Sequence, residues 1–144
     1  MTDLPNNFPR SAEGVEARLA AAGVQPTSQR VEIARVLLER PRHLSADQLQ
    51  NILAERGAKI SKATVYNTLK LLCEKGLARV VIVDPSRVFY DSSSRPHHHF
   101  YNVDTGALTD IPGEQVSFAD LPPLPPGTEA AGIEVVVRVR ERGR

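Results

Sequence analysis

ISKATVYNTLKLLCEKGLARVVIVDPSRVFYD, residues 60–91, changes its hydrophobic period part-way along. Val65, Leu69 and Leu72 recur at helical spacing, so one face of the first half is apolar. Ser61 stands where an N-cap belongs and Gly76 where a helix stops, which predicts a helix over 62–75. Beyond Gly76 the period falls to two. LARVVIV (77–83) and RVFYD (87–91) alternate, and Asp84-Pro85-Ser86 joins them. That pattern predicts a β-hairpin. A helix that runs directly into a hairpin makes the stretch upstream decisive.

Upstream, three further helices are expected. Val15, Leu19 and Ala22 mark a short one that Gly23 closes. Thr27 caps a second over 28–40, with Val31, Ile33, Ala34, Leu37 and Leu38 on its apolar face and Pro41 after it. Ser45 caps a third, and Gln48 completes a capping box. Leu49, Ile52 and Leu53 face the core, and Gly57 ends this helix. Helices three and four, joined by GAKIS, form a helix-turn-helix pair, and the hairpin is its wing. Residues 13–92 are therefore expected to be a winged helix-turn-helix domain, after a flexible tail at 1–12. The fourth helix is the expected DNA reader. Lys62 and Lys70 suit phosphates, Thr64 and Tyr66 suit thymine methyls, and Ser61 and Asn67 add polar reach, Asn67 to a base edge. The same residues also fit a plain solvated helix face.

Downstream, 93–96 is expected to be a hinge and 97–144 a small α/β or mostly β domain, which makes the whole chain α+β. Strands are expected at about 98–103 and 107–111, around a turn at Asp104-Thr105-Gly106. Residues 112–132 are too rich in Pro and Gly for a long helix. IEVVVRVR (133–140) reads as a last strand. So small a β unit buries little alone, and a homodimer through this half is expected.

Composition narrows the class. Of 144 residues, 41% are hydrophobic and 24% charged, with a net charge of +1. These are ordinary values for a soluble globular chain. The charge is uneven. Residues 1–96 carry 14 Lys and Arg against 10 Asp and Glu, a balance of +4, whereas 97–144 carry 4 against 7, a balance of −3. A basic front half suits nucleic acid. The single cysteine, Cys73, leaves no internal disulfide framework and no Cys-based zinc site within one chain, and a buried small hydrophobe is its expected role. No signal peptide or membrane-length apolar run is visible, so a cytoplasmic protein is expected.

SRPHHHFYNVDTG (94–106) carries the chemistry. On a strand His97 and His99 share one face and His98 points the other way. Two imidazoles on one side can ligate a transition metal or haem. His43 lies in the link before the third helix, Asp91 ends the first hairpin and Asp110 ends the second. With His97 and His99 they make a hard N/O donor set for Fe²⁺, Mn²⁺ or Zn²⁺ that draws on both halves. Such a site would fix one half against the other and so set the spacing of two recognition helices. The blander alternative is a polar strand edge with Asp turn formers. A metal-dependent hydrolase is a distant reading, since no further general base or cleft suggests itself, and an enzyme is not expected.

AGVQPTSQRVEIARVLL, HLSADQL, ISKATVYNTLKLLCEKGLA and HHHFYNVDTG together resemble the ferric uptake regulator superfamily of bacterial metal-responsive repressors. The resemblance implies that the fourth helix reads operator DNA, with Tyr66 the base-contacting tyrosine and Thr64 and Arg30 near the DNA. It maps the regulatory metal site of the family's peroxide sensors onto His43, Asp91, His97, His99 and Asp110. Asn102 and Thr105 stand where most of the family has its first Cys-x-x-Cys pair, so no structural zinc held by four cysteines is implied. With the intact triplet, this departure looks like the iron response regulator subgroup. That likeness implies haem sensing through His97, His98 and His99 and control of iron or haem metabolism genes. A manganese- or peroxide-type repressor is the close alternative.

Overall fold

A computed structural model describes residues 12–93 and 97–143. Most of the expected tail (1–12) and hinge (93–96) lies outside the described residues. The chain divides into two units, 1–94 and 95–144.

In the first unit the helices are α1 (Ala12–Ala21), α2 (Ser28–Leu38), α3 (Ala46–Glu55) and α4 (Lys62–Glu74). Their caps are those the sequence requires. Thr27 accepts from Arg30 N, and Ser61 accepts from Thr64 N. Ser45 and Gln48 form the full reciprocal capping box. Each such cap satisfies an orphan N–H and contributes about 1 kcal/mol. The expected inward positions of α4, Val65, Leu69 and Leu72, are all buried. With Leu19 of α1, Leu37 of α2 and Leu49 and Leu53 of α3 they form one aliphatic core. Helix α2 stops at Leu38, two residues before the expected end. Arg40 precedes Pro41, and a residue before proline is driven out of the helical region.

Strands β2 (Arg79–Asp84) and β3 (Arg87–Asp91) form the expected hairpin. Val81, Val83 and Phe89 turn inward, whereas Val80 and Ile82 face outward. A two-residue strand, β1 (His43–Leu44), adds to β3 and gives the order β1-β3-β2. Sequence reading places His43 in a link. Two residues are too few to show a period, and only the pairing reveals the strand.

In the second unit β4 (His97–Asn102) is the central strand. It pairs antiparallel with β5 (Leu108–Pro112) and parallel with β6 (Val136–Val139). A parallel return needs a long connection. The Pro-rich stretch supplies it, with one short 3-10 turn at Gly113–Gln115. The last strand begins at Val136 rather than 133. Tyr101, Leu108 and Ile111 are buried on this sheet, together with His98 and His99.

The β4–β5 turn is built by Asn102. Its Oδ1 accepts from Asp104 N at 2.9 Å and Thr105 N at 3.1 Å. Gly106, at φ +78°, takes the left-handed position and donates to Asn102 O at 2.8 Å. The Asn102 amide donates to Glu141 Oε1 at 3.0 Å, and Glu141 N donates to Asp104 Oδ2 at 2.9 Å. An Asx-type turn thus closes the hairpin where the resemblance would place a cysteine pair, and it ties down the chain beyond β6. Among the described residues, no helix is long and apolar enough to cross a membrane.

Candidate functional site

Register fixes the donor face of the second unit. His99 lies directly opposite Asp110 in the antiparallel pair. Directly opposed residues project to the same face, and His97, two positions earlier, shares it. The rings of His97 and His99 are 4.6 Å apart and inclined at 66°. His97 Nε2 is 3.2 Å from Asp110 Oδ1, and His99 Nε2 is 3.4 Å from the same oxygen. One donor atom from each of the three lies within 4.8 Å of the others. Bonds of about 2.1 Å to one ion put neighbouring donors about 3–3.5 Å apart. The two measured separations fall in that range, so the three groups fit a small divalent cation. His99 is 1% exposed and Asp110 is 50% exposed, so the carboxylate is the side open to solvent.

The other two expected donors belong to the first unit. His43 and Asp91 are opposed across the β1–β3 pair. Arg79 is the opposite neighbour of Asp91 on β2. Asp91 is buried, and its Oδ1 accepts from Ser93 N at 2.8 Å. Each unit therefore groups its own donors: His43 with Asp91, and His97 with His99 and Asp110.

His98 has a different task. Its ring is 8% exposed and lies edge-on to Phe118, with centroids 6.1 Å apart. Its Nδ1 accepts a hydrogen bond from Val135 N at 2.9 Å. The triplet thus splits into two imidazoles turned to Asp110 and one that fastens the approach to β6. A residue that sequence reading missed is Glu134, whose Oε1 lies 3.4 Å from His99 Nδ1. The only signal it left was an acid at the start of an otherwise Val/Arg run. Cys73 is half-buried, and burial, then the charge of Glu74, raises its thiol pKa. A thiol held protonated is a poor metal ligand, which agrees with a hydrophobic role.

Apart from Arg30 on α2, the expected DNA-contacting residues lie along α4 and at its N-cap. Ser61, Lys62, Tyr66, Asn67 and Lys70 are exposed, and Thr64 is half-buried. Ser61 and Thr64 are partly engaged with each other, hydroxyl to hydroxyl, at 2.9 Å. Lys62 Nζ lies 5.9 Å above the Tyr66 ring and 3.5 Å from Asp47. Arg30 donates to Gln25 O at 3.1 Å and lines a depression with Thr64 and Asn67. Tyr66 borders a larger cleft that reaches Arg87 at the hairpin turn. The depression joins Arg30, Thr64 and Asn67, and the cleft joins Tyr66 to Arg87, a cation that sequence reading did not single out.

The profile of the ferric uptake regulator family matches residues 21–119, well over half of the chain. The chain belongs to the ferric uptake regulator family. Members of this family are transcription regulators. A ferric uptake regulation protein of Synechococcus elongatus is 34% identical over 110 residues, 74% of this chain and 75% of that protein. The peroxide-responsive repressor PerR of Staphylococcus epidermidis is 31% identical over 95 residues, 66% of this chain and 63% of its own length. Among solved structures, the ferric uptake regulator of Pseudomonas aeruginosa with manganese superposes with a TM-score of 0.66 at 25% identity. It covers 89% of this chain and 98% of that one.

Proposed function

We propose that this family member is a cytoplasmic, homodimeric transcription regulator that binds double-stranded operator DNA through a winged helix-turn-helix in its first unit. Helix α4 is the reader, with Tyr66 and Asn67 toward bases and Lys62, Lys70 and Arg30 toward phosphates. A divalent metal, Fe²⁺, Mn²⁺ or Zn²⁺, is the effector. His97, His99 and Asp110 hold it with His43 and Asp91, and iron or haem metabolism genes are the targets. The observation that carries this reading is the convergence of His97 Nε2 and His99 Nε2 on one oxygen of Asp110, at 3.2 and 3.4 Å. The manganese in the Pseudomonas relative supports a cation of this kind. The positive charge of the ion would offset the carboxylates and lock the imidazoles in one orientation. Because the donors come from both units, occupancy would bias how the reading helices of a dimer are presented.

Haem is the second reading, favoured by the triplet and by the likeness to the iron response regulator subgroup. The Val135 bond to His98 weighs against it. With Nδ1 accepting, the neutral ring carries its proton on Nε2 and offers iron no lone pair until that bond breaks. The test is DNA binding measured metal-free, with Mn²⁺ and with haem, on sequences selected from a random pool. Tighter binding with Mn²⁺ that is lost in His99→Ala supports the metal reading. Equal binding with and without Mn²⁺ in wild type contradicts it. Weaker binding with haem, accompanied by a Soret shift that depends on His98, would replace it with the haem reading.

A further inference from the structure

We infer that Glu134 is a positioning residue of the metal site: its carboxylate holds the proton of His99 on Nδ1 and so leaves the Nε2 lone pair facing His97 and Asp110. The inference rests on the reading of His97, His99 and Asp110 as metal donors. Glu134 Oε1 lies 3.4 Å from His99 Nδ1, and Asp110 Oδ1 lies 3.4 Å from His99 Nε2, both as close charge contacts rather than formed hydrogen bonds. The imidazole is thus flanked by a carboxylate at each nitrogen. A neutral imidazole has one N–H and one lone pair, and a ligating His needs the lone pair on the metal side. A carboxylate on the far nitrogen selects that tautomer, aligns the ring and raises its basicity.

The placement of Glu134 is set by main-chain bonds. Its neighbour Val135 donates N–H to His98 Nδ1 at 2.9 Å, and Val135 O accepts from His99 N at 3.1 Å. Both bonds pin Val135, the residue after Glu134, against β4. His98 and His99 therefore work in series. The buried ring of His98 fastens the strand that brings a carboxylate to His99. Glu134 is 44% exposed, so its substitution leaves no cavity. The parallel register of His99 with Val136 keeps this geometry in place when the side chain changes.

Two measurements on the full chain test this, with Glu134→Gln, Glu134→Ala and His97→Ala beside wild type. The first is ¹⁵N NMR of the metal-free protein, which reads the His99 tautomer. Wild type is expected to carry the Nδ1–H form, Glu134→Ala to shift the proton toward Nε2 and Asp110, and Glu134→Gln, whose amide oxygen still accepts, to retain the wild-type form. The second is Mn²⁺ affinity by chelator competition. Glu134→Ala is expected to lose about 10–100-fold, the usual cost of removing a His-orienting carboxylate, and Glu134→Gln much less. An unchanged tautomer in Glu134→Ala overturns the inference, as does an unchanged Mn²⁺ affinity there when His97→Ala has lost binding. If His97→Ala binds Mn²⁺ as wild type does, the metal reading fails instead, and the tautomer of His99 still decides the role of Glu134.

Discussion

In the first unit Leu19, Ile33, Leu37, Leu49, Leu53 and Leu72 are fully buried, whereas the most buried side chain of the second unit is a histidine, His99. The first unit follows the usual route, with an aliphatic core closed by well-capped helices. The second buries Tyr101, Leu108 and Ile111 and otherwise relies on polar devices. Those devices are the Asn102 turn, the His98–Val135 bond and the His97/His99/Asp110 cluster. It also leaves Phe100, Val103, Phe118, Leu121, Leu124 and Val137 exposed. The proposed homodimer through this half would cover some of these side chains. On the proposed reading, the contrast assigns stability mainly to the first unit and responsiveness mainly to the second.

Four experiments press on that contrast. Leu69→Ala removes a buried side chain of α4 and is expected to cost about 2–5 kcal/mol. Chemical denaturation should show this loss equally with and without Mn²⁺. A loss that Mn²⁺ repaired would blur the division between the units. Saturating Mn²⁺ is expected to stabilise the chain by about 2–3 kcal/mol at roughly a hundred times the dissociation constant. Hydrogen exchange would localise that gain to the donor-bearing strands, β4 and β5 together with β1 and β3, and His99→Ala should abolish it. Asn102→Ala deletes the acceptor for two backbone N–H groups and is expected to cost about 1–2 kcal/mol, with faster exchange around 102–108 and none of it in α4.

The smallest effect lies in the first unit. Arg56 hydrogen-bonds Glu39 at 2.7 Å and holds its carboxyl below the usual range. A depressed carboxyl pKa contributes stability that is present above the unfolded value, about 4.3. It is lost as pH falls through the lower folded value. The pair is partly exposed, so Glu39→Gln is expected to cost under about 1 kcal/mol at neutral pH and progressively less as pH falls below about 4.3. Thermal melts over that range read the difference. A gap that widened in acid would mean that Glu39 has another role.

The sequence was most legible where local rules decide structure. Thr27, Ser45 and Ser61 cap, Gly23, Gly57 and Gly76 terminate with positive φ, and the period change after Gly76 marks the hairpin. The pairing of His97 with His99 followed from strand alternation alone. Asp110 was named as a donor from its place at a hairpin end, and the register adds that it lies opposite His99, whereas the place of Glu134 needed a parallel strand that returns much later in the chain. Strand β1 was invisible because two residues carry no period. His98 showed its role only once the return of the chain brought Val135 N–H to its ring.

The central claim is that His97, His99 and Asp110 hold a divalent ion. A Mn²⁺ titration of the metal-free protein, followed by the six-line electron paramagnetic resonance signal of free Mn²⁺, tests it most directly. The account predicts that wild type removes the signal up to one Mn²⁺ per chain and that Asp110→Asn and His99→Ala leave it largely free. A wild-type protein that leaves Mn²⁺ free, or variants that take it up as wild type does, would contradict it.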